Sequence, residues 1–292
     1  MTLFLQTVVS GLLIGCIYGL IGIGFSISYL TSGILNFAQG DLVGIGAYLM
    51  LEFYLLGLPL VAALILAAVA VGIVIALANL AIFQPLYRYG MVFPTLCTFG
   101  VSIIIQSAIQ LLWGAQPRVL RPMLTASTFA AGDVRVSPAQ ILGAGVSIIL
   151  CLAIVWMLAR TRTGQGMRAL ARDPDVAAFV GIRPRRLLFG AYAIAGVLAV
   201  VAAAMIAPAQ GLSPQMGTTL TVLGFTAAAL GGFGSPAGAL IGGLAVGASE
   251  NIVAVYVNPS YKDAITYGLL ILVLLLRPRG LLGEKQAQAR TV

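Results

Sequence analysis

Residues 187–249 read LLFGAYAIAGVLAVVAAAMIAPAQGLSPQMGTTLTVLGFTAAALGGFGSPAGALIGGLAVGAS, with no charged side chain anywhere in the run. A soluble globular chain carries about 25% charged residues, so a stretch this long has no place on a water-facing surface. The chain as a whole agrees: it is 60% hydrophobic and 8% charged, with a mean hydropathy of +1.06. Only helices and closed barrels satisfy their backbone polar groups inside lipid. A barrel would alternate apolar and polar residues over segments of about ten, and that alternation is absent. The sequence therefore predicts an all-α, polytopic transmembrane helical bundle, and residues 1–292 are expected to form one integral-membrane domain.

Working outward from that run, apolar segments of spanning length occupy 6–29, 37–56, 59–82, 93–113, 139–159, 187–207 and 238–257. Two shorter ones, 218–232 and 263–276, fall below the roughly 17–25 residues a span needs. They are expected to be tilted, broken or partly inserted. The total is about 8–9 membrane segments. The N-terminus lacks a positive flank and is read as the start of the first span.

The charges mark the sides. Residues 160–186 hold seven Arg against two Asp, and the tail 277–292 holds three Arg and one Lys against one Glu. Together they account for the formal net charge of +8, and the remainder balances. Nucleic acid explains this poorly, because no aromatics are interleaved with the arginines. The positive-inside bias explains it well, placing the loop 160–186 and the tail 277–292 in the cytoplasm. Counting crossings backwards puts 84–90 inside and 114–138 outside, with the N-terminus outside unless 31–40 is re-entrant. The outer loop then carries Arg118, Arg121 and Arg135 against Asp133, counter to the charge rule but outweighed by the 160–186 segment.

Within the charged loop lies a delimited helix. Asp173 reads as an N-cap and Pro174 as the first helical residue, where its missing N–H is harmless. Asp175 suits the positive end of the helix dipole. Gly181 reads as a left-handed stop. The helix between them spans roughly two turns, too short to be stable alone in water. It must dock, on its own protein or in a partner's groove.

Polar residues interrupt the apolar segments in two places. The stretch 31–40 (TSGILNFAQG) with Asp41 brings Ser32, Asn36, Gln39 and Asp41, all unfavourable in hydrocarbon unless they face protein or water. A second interruption runs from Pro208 through Gln210 to Gln215, and a Gly/Pro-rich turn follows at 231–236. Paired broken segments in two halves point to a translocation path between repeats; ordinary interhelical turns are the alternative. Glu250 is the one acid in the last long apolar stretch. It is read either as a functional intramembrane carboxylate or as a group near a membrane face, bonded to Ser249 or Asn251 or neutralised by protonation.

Several chemistries are excluded. The chain contains no His, so His-based metal sites and Ser-His-Asp or Cys-His catalysis cannot form. Neither Lys262 nor Lys285 is followed by Ser or Thr, so there is no nucleotide-binding P-loop. Cys16, Cys97 and Cys151 lie in apolar runs and are expected as buried thiols. The glycines of the first and late spans (11, 15, 19, 22, 24; 238, 242, 243, 247) suit close helix packing.

Four stretches carry a family likeness: TSGILNFAQGDLVGIGAYL (31–49), GQGMRALARDPDVAAFVGIRPRRLLFGAYAIAGVLA (164–199), LGGFGSPAGALIGG (230–243) and SENIVAVYVNPSYKDAITYGLLILVLLLRPRGLLG (249–283). On these the chain resembles the integral-membrane permease subunits of bacterial ABC importers for branched-chain amino acids. The resemblance implies two ATP-binding subunits, a second related permease and a soluble binding protein outside. It implies no cofactor in this chain, with ATP and Mg held by the partners. It also implies that the 164–186 loop carries a coupling helix, with Arg168, Asp173, Pro174, Asp175, Ala177, Ala178, Phe179 and Gly181 as coupling residues. Ser32, Asn36, Gln39, Asp41, Gln210 and Glu250 are candidate pathway polars, and Arg118, Arg121 and Arg135 candidate contacts for the binding protein. Many family members carry His where this chain has Gln39, which hydrogen-bonds but does not titrate near neutral pH. The family also includes permeases for urea and short amides. Outside it, the competing readings are an ion-coupled transporter or channel working alone, and, least supported, a membrane enzyme.

Overall fold

The computed structural model describes residues 2–119, 129–131, 134–277 and 280–282. Among them, helices run in the order α1 (Thr2–Ser32), α2 (Gln39–Leu55), α3 (Leu60–Ala78), α4 (Gln84–Leu86), α5 (Val92–Trp113), α6 (Pro138–Arg160), α7 (Arg162–Arg172), α8 (Pro174–Phe179), α9 (Pro184–Gln210), α10 (Met216–Gly231), α11 (Pro236–Tyr256) and α12 (Lys262–Leu276). A small antiparallel hairpin, β1 (Phe129–Ala131) with β2 (Val134–Val136), precedes α6. The protein is an all-α helical membrane bundle, and seven helices among the described residues are long and apolar enough to cross a bilayer.

The segment lengths differ from expectation at two places. The run 37–56 is trimmed at its start: α2 begins at Gln39 and has 17 residues, at the lower limit for a span, because Gly33–Ala38 breaks away from α1. The run 218–232 is short as expected, forming the 16-residue α10. The run 263–276 gains the 3-10 turn Pro259–Tyr261 and so reaches spanning length as Pro259–Leu276. The sequence reading also missed α7, an amphipathic helix started by Thr161, whose Oγ1 accepts from Gly164 N at 3.1 Å.

The two breaks are built alike. Gly33 (φ 71°) ends α1 and Gly211 (φ 75°) ends α9, both in the left-handed region that glycine enters without penalty. Each break leads into a short helix whose second residue is glycine, Gly40 in α2 and Gly217 in α10. The packing repeats this likeness. α1 packs on α11 as α9 does on α3; α1 on α10 as α9 on α2; α10 on α12 as α2 on α5. α1 also packs on α9, and α2 on α10. Interchanging α1, α2, α3, α5 with α9, α10, α11, α12 therefore reproduces these contacts, and α1 runs antiparallel to α9 (Gly24 beside Ala195, Gly143 beside Ile17 and Met205) as α2 does to α10 (Gly40 beside Thr221, Gly44 beside Gly217). This is an inverted repeat, with α6–α8 inserted between the halves.

Small residues bring the helices together. A Cβ on Gly15 or Gly247 would collide with the opposing backbone of α11 or α1. That close approach is how the apolar helices, which gain little from excluding water inside lipid, still pack. At one end lie the break after α1, the start of α5, α7, α8, the start of α9 and the end of α10. There Leu281 N and Leu282 N donate to the last carbonyls of α10, Leu230 O and Gly231 O, each at 2.8 Å. These bonds satisfy groups that a helix end leaves open and hold the start of the tail beside the charged loop.

Candidate functional site

At the charged end, α8 is built as its termini dictate. Asp173 Oδ1 accepts from Val176 N at 3.0 Å, capping the helix. Gly181 sits at φ 82°, and Ile182 N donates to Ala177 O at 3.1 Å. This six-to-one closure around a left-handed glycine is a Schellman stop, with its apolar contact between Ile182 and Ala177. Ala177 is 2% exposed and packs with Leu170 of α7 and Leu188 of α9, with Tyr87 and Leu187 alongside. Ala177 thus anchors α8 to its own chain and presents no surface to a partner. The outward face is Val176, Phe179 and Val180, and Phe179 is 89% exposed. Arg168 reaches back, its Nη2 donating to Ala159 O at 3.4 Å. Pro174, Asp175 and Ala178 belong to α8, but their side chains lie outside the described residues.

The second constellation lies where the two short helices cross. Gly40 and Gly217 let α2 and α10 approach closely, because a Cβ on either would collide with the opposing helix. Asp41, buried, faces this contact. Ser102 Oγ donates to Asp41 Oδ2 at 2.5 Å, and Gln106 Nε2 donates to Asp41 Oδ1 at 3.0 Å. Gln106 also lies 3.1 Å from Thr218 Oγ1 of α10. One carboxylate therefore links α2 and α5, and Gln106 extends the link to α10. The sequence reading selected Asp41 but missed Ser102, Gln106 and Thr218. Polar residues at 102, 106 and 110, four apart in an otherwise apolar helix, were the available signal.

The other candidate pathway polars are spread out. Ser32 Oγ donates to Ser28 O at 2.7 Å and accepts from Ile34 N at 3.1 Å, closing the end of α1. Asn36 Oδ1 accepts from Ala38 N at 3.3 Å inside the break. Gln39 is buried, and its Nε2 donates to Ala195 O of α9 at 3.0 Å. Gln210 is exposed at the end of α9. Glu250 belongs elsewhere. Its Oε2 lies 3.3 Å from Lys262 Nζ and its Oε1 accepts from Thr266 Oγ1 at 3.2 Å, clamping α11 to α12. Ser249 and Asn251, the partners first considered, bond instead to Val246 O and Thr7 O.

The outer-loop arginines do not gather into a described cluster. Arg118 pairs its backbone with Leu212 and folds its guanidinium onto Trp113 O at 3.0 Å. Arg121 lies outside the described residues, and of Arg135 only the backbone, paired with Ala130 in the hairpin, is described. Among the described residues no group of His, Cys, Asp or Glu is arranged to hold a metal.

The surface of the bundle is uneven in polarity. α3 and α6 turn outward Val61, Ile65, Val69, Ile73 and Ile148, Ile149, Leu152, Trp156, a face suited to lipid. The face shared by α5 and α10 instead exposes Gln110, Gln215 and Thr218, with Gln106 half-buried among them. Uncovered amides are unfavourable against acyl chains, so this face suits water or another protein.

Comparison with known proteins accords with this architecture. Residues 7–274 match the family described as branched-chain amino acid transport system / permease component. The chain is 33% identical to the high-affinity branched-chain amino acid transport system permease protein BraD of Pseudomonas aeruginosa, covering 98% of this chain and 97% of that one. It is 30% identical, with the same coverage, to LivH of Escherichia coli, and 26% identical to LivM of the same organism over 94% of this chain and 69% of that one. Its fold is similar to the structure of PsaBC from Streptococcus pneumoniae in complex with Fab, with a TM-score of 0.51, 12% identity and coverage of 94% and 91%. The match over nearly the whole length shows that the chain belongs to the branched-chain amino acid transport system permease family.

Proposed function

We propose that this chain is the membrane-spanning subunit of an ATP-driven importer carrying branched-chain, hydrophobic amino acids across a bacterial inner membrane. The charged end faces the cytoplasm, as the positive-inside rule requires. Two ATP-binding subunits sit beneath it and hydrolyse the ATP. A second, related permease covers the α5–α10 face, and a soluble binding protein delivers substrate to the opposite side. That the chain is similar to both LivH and LivM supports a pair of related permeases.

The observation that carries this reading is α8. It is capped at both ends, fastened inward by Ala177, and holds Phe179 out at 89% exposure. An exposed aromatic on a rigid platform is the usual form of an interface anchor. A push on α8 passes through Leu170, Leu188 and Tyr87 into α7, α9 and the turn before α5. The Asp41 link then couples α5 to α2, with Gln106 reaching α10. The chain's own residues hold and transmit; the chemistry of ATP belongs to the partners.

The test is to purify Phe179→Asp with the two ATPase subunits. Loss of the ATPases at unchanged membrane insertion is expected, and normal co-purification would remove α8 as the coupling element. Uptake into proteoliposomes decides the class. Leucine, isoleucine and valine should enter only with ATP and all subunits; entry of urea or short amides instead would reassign the substrate. Uptake by the lone chain on an ion gradient would replace the importer with a secondary transporter.

A further inference from the structure

In that assembly the α5–α10 face, covered by the second permease, forms one wall of the transport path between the two permeases; it has a polar ledge and, beneath it, an aromatic cluster. Phe99 lies seven residues into α5, ~10 Å from the charged end, and Gln106 lies ~10 Å further on at 1.5 Å per helical residue. Phe99 is 46% exposed and stacks on Phe37, with ring centroids 4.2 Å apart and planes at 17°. Phe37 meets Phe225 of α10 at 5.4 Å, and Phe225 meets Phe233 at 5.1 Å. The three rings of 37, 99 and 225 thus bridge α5, the α1–α2 break and α10.

Phe37 is held in place by its backbone. Its N–H donates to Thr98 Oγ1 at 3.0 Å, and its carbonyl accepts from Thr221 Oγ1 at 3.4 Å. Thr98 Oγ1 also lies 3.3 Å from Leu35 O. The break is therefore pinned to α5 on one side and α10 on the other. Any movement of those helices relative to each other must separate or regroup the rings. Rings of this kind exclude water and ions from a narrow passage while offering apolar contact to an aliphatic side chain.

We propose that Phe37, Phe99 and Phe225 form the cytoplasmic-side hydrophobic constriction of the transport path. This rests on the reading of the α5–α10 face as a path wall. Amino acids reach the ledge of Gln106 and Thr218 from the outer side, and their apolar side chains pass the rings when α8 is moved. In the resting transporter the rings close the path below the ledge.

The experiment uses the complete transporter, nucleotide-free, in oriented vesicles. Cys97 is replaced by Ala and Gln106 by Cys, and the rate at which a charged, membrane-impermeant methanethiosulfonate labels this chain is measured from each side. The expected result is labelling of Gln106→Cys from the outer side only. Adding Phe99→Ala or Phe225→Ala should raise the cytoplasmic-side rate at least tenfold, whereas Phe99→Leu should leave it low. Outer labelling with a cytoplasmic rate unmoved by both alanine variants overturns the constriction and leaves the wall intact. Equal labelling from both sides before truncation also overturns it. No labelling from either side shows that the face is not water-lined, and the wall reading and the constriction then fall together.

Discussion

Lys262 is 37% exposed, whereas Glu250, 3.3 Å away, is 4% exposed. The two partners therefore respond differently to losing each other. Freed of Glu250, the lysine can turn into water. Freed of Lys262, the carboxylate stays buried with neutral donors such as Thr266 Oγ1 and no counter-charge, and an uncompensated buried charge is strongly destabilising. Lys262→Met is therefore expected to lower stability by ~2 kcal/mol, and Glu250→Gln by less than about 1 kcal/mol, with the double variant recovering most of the loss. Thermal unfolding of the four proteins in one detergent checks this; equal losses from the two single variants would show that the pair is not the clamp. An acid inside an apolar run was conspicuous in the sequence, but its partner was not. Lys262 lies twelve positions away, and only the turn 259–261 returns it to Glu250.

Helix α8 was legible at the level of the element, because every signal that defines it is local. Asp173, Pro174 and Gly181 act through their own backbone neighbours, and the structure places the cap and the stop where those residues require. What the sequence did not show is which face points inward. Ala177 seemed equal to any other small residue until α7 and α9 enclosed it. Removing the cap with Asp173→Ala should cost about 1 kcal/mol locally, seen as faster amide exchange over 176–182 with α9 unchanged; undisturbed protection there would mean that packing alone holds the helix. Gly181→Val, forced into a left-handed backbone, should cost roughly 1–2 kcal/mol at the same segment, and unaltered exchange would count against the Schellman stop. The π-helical stretch Asn79–Phe83 after α3 has a similarly local cause. Pro85, just beyond it, has no N–H to continue the α ladder, and Gln84 Nε2 donates instead to Asn79 Oδ1 at 2.9 Å.

Across the whole molecule, the two halves meet where Gly40 and Gly217 sit at matching places in α2 and α10. A Cβ on Gly40 would collide with Thr221 N and Gly217 O, and one on Gly217 would meet Asp41 Cα at 2.7 Å. Gly40→Val and Gly217→Val are both expected to destabilise by roughly 1–3 kcal/mol each through overpacking and to impair transport alike. Gly100→Val, with open space around it, should leave the melting temperature unchanged. A tolerated valine at Gly217 would argue that the crossing is looser than the structure has it. The sequence by itself determined that the chain is a helical membrane bundle, which end carries the charge, where helices break, and where a capped helix stands in the charged loop. Those properties follow from solvent preference and from contacts within a few residues. Only the tertiary structure decided that the halves are inverted copies, that Asp41 answers to Ser102 and Gln106, that Glu250 belongs to a clamp, and that three distant phenylalanines meet in one cluster. These pairings join residues as many as 188 positions apart, and nothing in linear order selects a contact that helix packing alone creates.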